Sequence, residues 1–308
     1  MTTATAAAGA VQVVGGIAVA PLLVGVIQSA KARLQGRRGP APLQPYRELR
    51  RLWGKGTVEV EGTTAVYRLA PVMAAAGLAT AILLVPVASQ GPNLGVGRDA
   101  LALVGLLALG RFVLAAAAWD TSNGFSLMGA ARDLTIAVFV DVALVLSLGL
   151  AALIVGTTNL LGMVAGTAGT AVWSSPALPL GAIAFALVVI AETGRQPVDN
   201  PDTHLELTMI HEGPLLEYAG RDLAMLQWAA AARHWIILVL ITQVFLPHPQ
   251  NVWAQLAVLP AALLIACCTL ALTETLLAKM RILIVPRLLT GGAAVALLGI
   301  AAWLVDTT

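Results

Sequence analysis

Apolar residues run along this chain in long stretches separated by short polar segments. Residues 1–30, 69–97, 142–191 and 288–305 contain no Asp, Glu, Lys or Arg, and neither does the stretch between Arg233 and Glu274. A run of 18 or more apolar residues is long enough to cross hydrocarbon as a helix. The pattern predicts eight spans, at about 10–30, 66–88, 99–118, 133–156, 176–192, 233–248, 254–275 and 287–305. Because lipid cannot satisfy an unpaired backbone, helices are the natural solution. The Ala-Leu-Val runs lack the alternation of a membrane β-barrel. The expected fold class is all-α: a polytopic membrane protein whose single transmembrane domain covers 1–308.

Composition agrees, with 58% hydrophobic and 11% charged residues in a chain of 308; a soluble domain carries about 25% charge. The net charge of +2 says little, but its distribution is informative. Nine of the 18 basic residues lie between Lys31 and Arg68, and most of the others fall in or beside 119–132, 193–232 and 276–286. Arg98 alone falls on the other side. The asymmetry predicts that 31–65, 119–132, 193–232 and 276–286 are cytoplasmic loops and that both termini lie outside. A basic segment between two apolar stretches reads as a membrane-flanking loop in contact with lipid, not a nucleic-acid patch. Cys267 and Cys268 are neighbours inside an apolar run and read as small buried hydrophobes.

Charges inside the spans are costly in lipid and point to function. Asp141 lies eight positions beyond Asp133, about 12 Å deeper into its span. Arg111, in the span before, is a candidate partner for it or a snorkelling side chain. Glu274 lies near the loop end of the seventh span. The largest concentration of chemistry follows the fifth span, where Glu192, Asp199, Asp202, Glu206, Glu212, Glu217 and Asp222 face Arg195 and Arg221. Asn200-Pro201 predicts a helix start, and Gly213-Pro214 predicts its end near Glu212. A second helix from Pro214 would place Glu217 and Arg221 one turn apart. Clustered carboxylates raise one another's proton affinity, as the mouth of a proton path requires. His204 and His211 are seven residues apart, too far along one helix to share a metal ion, and the segment has no Cys for an iron–sulfur cluster.

The stretch from Glu192-Thr193-Gly194-Arg195-Gln196-Pro197-Val198-Asp199-Asn200-Pro201 through Glu206, Glu212, Glu217-Tyr218 and Gly220 resembles the family of complex I membrane subunits that adjoin the quinone site. Within it, the pattern is closest to the membrane subunits of group 4 nickel–iron hydrogenases, formate hydrogenlyase among them. Trp119-Asp120 and Gly129 to Asp133 resemble the family's loop between spans three and four. Val198 and Asn200 depart from the Phe and Leu expected in the complex I branch.

The resemblance implies eight helices and a non-catalytic subunit of an oxidoreductase complex in a prokaryotic cytoplasmic membrane. Such a subunit binds no cofactor itself. Its partners are the hydrogenase large and small subunits and iron–sulfur subunits, which hold the nickel–iron centre and the clusters, together with antiporter-like membrane subunits. The resemblance further implies that Arg195, Asp199, Asp202 and Arg221 meet the soluble arm. Asp141, Glu192, Glu206, Glu212, Glu217 and Glu274 would then form a path for protons or sodium. A quinone-site subunit of an NADH:quinone oxidoreductase is the alternative, and an unrelated transporter the more distant one.

Overall fold

The computed structural model describes residues 3–91, 97–169, 171–199 and 210–307. Its helices, in chain order, are α1 (Thr3–Leu34), α2 (Gln44–Trp53), α3 (Ala65–Leu84), α4 (Ala100–Asp120), α5 (Gly124–Val155), α6 (Leu160–Gly166), α7 (Ala177–Glu192), α8 (Gly220–Val244), α9 (Val252–Leu276) and α10 (Val285–Thr307). Among the described residues, seven helices are long and apolar enough to cross a membrane, where the sequence pattern predicts eight spans. The difference is α7, whose 16 residues reach about 24 Å, short of the roughly 30 Å hydrocarbon layer.

Short polar residues start the long helices. The side chains of Thr64, Asp99, Asn123 and Asn251 each accept a hydrogen bond from a backbone N–H in the first turn that has no intrahelical partner. Two helices begin well before their apolar cores. Helix α5 starts at Gly124, where 133 was expected, and α8 starts at Gly220, where 233 was expected. Hydropathy stops at charged residues, whereas a helix continues through charges that the fold pairs. Helices α1 and α5, with 32 residues each, reach about 48 Å and overshoot the hydrocarbon.

Helix α8 is the central column, with 61% of its most apolar window buried against 22% for α10. It packs against α3, α1, α2, α7 and α9, while α5, α7 and α10 form the adjoining layer. Small side chains on α8 (Ala224, Ala229, Ala231, Ala232) let neighbours approach, and Trp235 fills the space beside Gly15. The periphery is apolar, with Val138, Ile265 and Leu298 each more than 60% exposed. That surface suits lipid and not water. Cys267 is buried as expected, but Cys268 faces outward, the neighbouring position on a helix pointing to a different side.

A π-helical turn at Gly15–Val19 interrupts α1. Such turns leave carbonyls without their usual partners. Trp228 Nε1 donates to Ile17 O at 3.0 Å, and the Tyr46 hydroxyl donates to Ala18 O. Both bonds fasten α1 to its neighbours, the second through the amphipathic helix α2.

Candidate functional site

Among the described residues, three groups of ion pairs occupy the end of the bundle where the basic loops lie. In the first, Arg111 on α4 contacts both Asp141 on α5 and Glu192 at the end of α7, the latter at 2.9 Å. Arg233 on α8 holds the other oxygen of Glu192 at 2.9 Å and donates to Leu107 O at 2.9 Å. Glu192 is thus gripped between two guanidinium groups contributed by different helices. Asp141 is the outermost member, its side chain 28% exposed at the flank of the bundle.

The second group centres on Glu274 of α9, which is 2% exposed. Lys31 Nζ on α1 lies 2.5 Å from one of its oxygens, and Arg195 Nη1 lies 3.2 Å from the other. The third lies nearer the loop face, with Asp199 and Asp133 buried and His211 partly exposed. Lys279, between α9 and α10, contacts Asp199 Oδ1 at 3.2 Å, and His211 Nδ1 lies 3.1 Å from Asp199 Oδ2. On the far side of the ring, His211 Nε2 lies 3.6 Å from Asp133 Oδ1 on α5. Arg111, Glu192, Arg195, Asp199, Asp133 and His211 all border one cavity of about 680 Å³, which also touches α1 and α2.

Burial alone would raise the Asp199 carboxyl. The hydrogen bonds and charge of His211, with Lys279 adding to them, outweigh that effect and hold it at about 2. Burial likewise disfavours the His211 cation, but Asp199 and Asp133 more than compensate and raise its proton affinity above the ordinary histidine value. One acid–base pair is therefore an anion and a readily protonated ring.

Backbone packing explains how the loop is held. The Gly129 and Gly213 backbones meet so closely that a methyl group on Gly129 would sit 2.7 Å from Gly213 Cα. The rings of Tyr67 and Tyr218 stack at 4.5 Å, and each hydroxyl donates across the contact, Tyr218 to Tyr67 O and Tyr67 to Glu217 O. Residues 210–220 are thereby fastened to α3 and α5.

The structure brings Asp141 and Glu192 together through Arg111, and puts Glu274 and Arg195 in one group. Glu212 lines the cavity. The helix expected from Pro214 is absent: a 3₁₀ turn covers Gly213–Leu215 and α8 begins only at Gly220, which takes a left-handed conformation (φ +58°). Glu217 therefore does not pair with Arg221 on one helix; it accepts from Asn123 Nδ2 instead. Arg221 is exposed. Arg195 and Asp199, expected at the surface of the soluble arm, are buried and have partners within the chain. Asp202, Glu206, His204 and the helix start at Asn200-Pro201 lie outside the described residues.

Lys31, Asp133, His211, Arg233 and Lys279 were not singled out by sequence as members of this network. Lys31 and Arg233 border long apolar runs, where a charge reads as a loop residue. Their overshooting helices are what carry them inside.

Among the described residues, no group of three or more His, Cys, Asp or Glu side chains is placed to hold a metal. The arrangement defines a class: a polytopic membrane protein with a ladder of buried ion pairs running from its loop face into its bundle. Residues 7–305 match the family model described as NADH dehydrogenase. Formate hydrogenlyase subunit 4 of Escherichia coli (strain K12) is 34% identical over 291 residues, covering 91% of this chain and 93% of that protein. Hydrogenase-4 component C of the same strain is 32% identical, covering 92% and 91%. The solved structure of the membrane-bound sulfane sulfur reductase, an archaeal respiratory membrane complex, contains a chain of the same fold. Its TM-score is 0.80 at 23% identity, covering 94% of this chain and 96% of that one.

The chain therefore belongs to the NADH dehydrogenase family of complex I-like membrane subunits. It is a membrane subunit of a hydrogenase or complex I type redox complex, and its buried charged network is consistent with ion coupling. The unrelated-transporter reading falls away.

Proposed function

We propose that this chain anchors a hydrogenase-type soluble arm to a prokaryotic cytoplasmic membrane and couples its redox chemistry to movement of protons or sodium. The observation that carries this reading is the Glu192 junction, where two arginines and one buried carboxylate link the loop face to Asp141. Ion pairs of this kind are costly to bury, and a neighbouring redox event that changes the charge beside them shifts their energies. The partners are hydrogenase large and small subunits, iron–sulfur subunits and antiporter-like membrane subunits, and they hold the nickel–iron centre and the clusters.

In this reading the loop end faces the cytoplasm, both termini lie outside and α7 is the eighth crossing. A 3₁₀ turn at Ala171–Ser174 precedes α7 in the chain. Arg221, Asp202 and Glu212 meet the soluble arm, while Arg195 and Asp199 hold its docking surface in shape from beneath. Glu206, Glu217 and Glu274 extend the path begun by Asp141, Glu192 and Glu212.

Asp141→Asn tests the coupling. The variant keeps the arm bound and the complex assembled, because Arg111 retains Glu192. Ion movement per electron in proteoliposomes falls at least tenfold. Unchanged ion movement would refute the path.

The cavity between α1, α2 and the loop supports the second reading, a quinone-site subunit. Its volume of about 680 Å³ lies within the range of ligand pockets. Quinone bound to the purified complex in the absence of nickel would favour that reading.

A further inference from the structure

We propose that Asp199 and His211 form a carboxylate–imidazole dyad whose Nε2 exchanges protons with Asp133 at the loop-side mouth of the path. The inference rests on the coupling reading above and adds to it a residue and an atom.

The geometry constrains the imidazole on both sides. A carboxylate is an acceptor only, so Asp199 Oδ2, 3.1 Å from Nδ1, calls for the hydrogen on Nδ1. The backbone N–H of His211 donates to the same oxygen at 3.2 Å. Lys279 Nζ lies 3.2 Å from the other oxygen and fixes the carboxylate plane. Beneath the ring lies Gly194, at φ +58°. A methyl group there would sit 3.0 Å from Nδ1 and 3.2 Å from Cε1, so the backbone forms a floor for the imidazole. The free nitrogen of the neutral ring is then Nε2, which looks toward Asp133 on α5 across 3.6 Å.

The chemistry follows from these positions. Asp199, held near 2, stays an anion at neutral pH and cannot itself carry the proton. It orients the ring and strengthens Nε2 as a base, as second-shell carboxylates do for histidines elsewhere. In the first transfer, an O–H bond of a hydronium ion in the loop-side water breaks as an N–H bond forms at Nε2, leaving water and the imidazolium. That bond then breaks as an O–H bond forms on Asp133, while Nδ1–H stays with Asp199 throughout. The gap from Nε2 to Asp133 must close by about 0.5 Å to reach hydrogen-bonding distance, a small movement of the loop segment against α5.

The charged groups surrounding the ring come from every neighbouring element. Asp133 lies on α5, Arg111 on α4, Glu192 at the end of α7 and His234 on α8. Arg195 and Asp199 follow α7, and Lys279 lies between α9 and α10. Among the described residues, Asp141, Glu192, Asp199 and Glu274 contact Lys or Arg side chains, and Asp133 faces His211. Protonation of His211 adds a positive charge beside Asp133 and Asp199.

The test uses the assembled complex with its partner subunits. Hydrogen–deuterium exchange at histidine Cε1, read by mass spectrometry on the peptide carrying His211, gives the titration midpoint of that ring. The midpoint is expected above the ordinary value of about 6.5 and should fall by about one pH unit in Asp199→Asn. His211→Gln should lower ion movement in proteoliposomes about tenfold at pH 7 and remove the corresponding limb of its pH profile, with the arm still bound. A midpoint unmoved by Asp199→Asn, or wild-type ion movement in His211→Gln, would overturn the dyad. If Asp141→Asn still abolishes ion movement in that case, the dyad alone fails; if Asp141→Asn is also silent, the coupling reading fails with it.

Discussion

At the loop end of the bundle, among the described residues, five carboxylates meet five Lys and Arg side chains and His211, drawn from α1, α4, α5, α7, α8, α9 and the loops after α7 and α9. At the opposite end the buried polar contacts are mostly uncharged. Gln12 Nε2 donates to Ile82 O at 2.8 Å and Leu83 O at 2.7 Å, and Gln255 Oε1 accepts from Ser89 N–H at 2.7 Å. His248 Nε2 lies 3.1 Å from Val164 O. Arg98 is buried there, but the nearby Asp99 uses its carboxylate to cap α4 and to accept from Thr158. Neutral bonds to backbone carbonyls have one satisfactory arrangement and fix a shape. A network of charged side chains responds to a charge that changes next to it, and its His211 can take up or release a proton while the guanidinium groups stay charged. One end of the molecule holds the frame, and the other is built to change state.

The largest effect that separates the two ends is expected at Glu192. Glu192→Leu leaves the buried Arg111 and the mostly buried Arg233 without the carboxylate they share, with Asp141 still contacting Arg111 and Leu107 O still accepting from Arg233. Removing one member of a buried ion pair costs about 3–5 kcal/mol. The thermal melting of the detergent-purified complex should drop sharply, and little assembled material should be recovered. A melting curve within a degree of wild type would mean that these charges are solvated, and the contrast between the two ends would be lost.

The sequence shows the frame more plainly than the network. Apolar runs locate the helices because lipid imposes a uniform rule along each one, and seven of the eight expected spans are matched by long helices. Helix α7 departs because 16 apolar residues give a clear hydropathy signal without enough length. Asp141 and Arg111 were legible as a pair, since each is a charge that lipid cannot explain. Arg233, Lys31 and Lys279 were not, because hydropathy treats a charge at the edge of an apolar run as the edge itself. Only the three-dimensional path of α8 and α1 shows that helix continues through Arg233 and Lys31, and Lys279 comes in from the loop after α9. Along the chain, His211 has His204 as its nearest histidine, seven residues away, and that spacing says nothing of its tertiary partners. Its actual partners, Asp133 and Asp199, reach it across 78 and 12 residues through tertiary packing.

The loop's attachment to α5 supplies an intermediate test through pH. Asp199 is held low at about 2, so its contribution is present above the unfolded value near 3.9 and is lost as pH falls toward 2. His211 is raised, so its contribution is complete below about 6.5 and fades as pH rises through its higher folded value. The loop should therefore be best fastened between about pH 4 and 6.5. Backbone hydrogen exchange of residues 210–216 should be slowest in that window and faster at pH 9 after correction for intrinsic rates. The segment around Gln12 should show no such dependence, since its bonds involve no titrating partner in that range. Equal pH profiles at the two ends would erase the distinction.

The smallest effect belongs to the frame. The carbonyls of Ile82 and Leu83 lie in the last turn of α3, where a helix leaves its C=O groups without intrahelical donors. Gln12 supplies both with one amide group from α1. Gln12→Leu keeps the volume but leaves the two carbonyls without this donor and removes the Gln12 Oε1 to which the buried Arg98 donates at 3.4 Å, a loss of about 1–3 kcal/mol. The complex should still assemble and melt a few degrees lower, and ion movement per electron should equal that of wild type. That pairing of a measurable stability loss with intact coupling is what distinguishes a structural bond from a member of the path. If Gln12→Leu instead uncoupled ion movement, the opposite end would belong to the working network, and the division between frame and ladder would have to be redrawn.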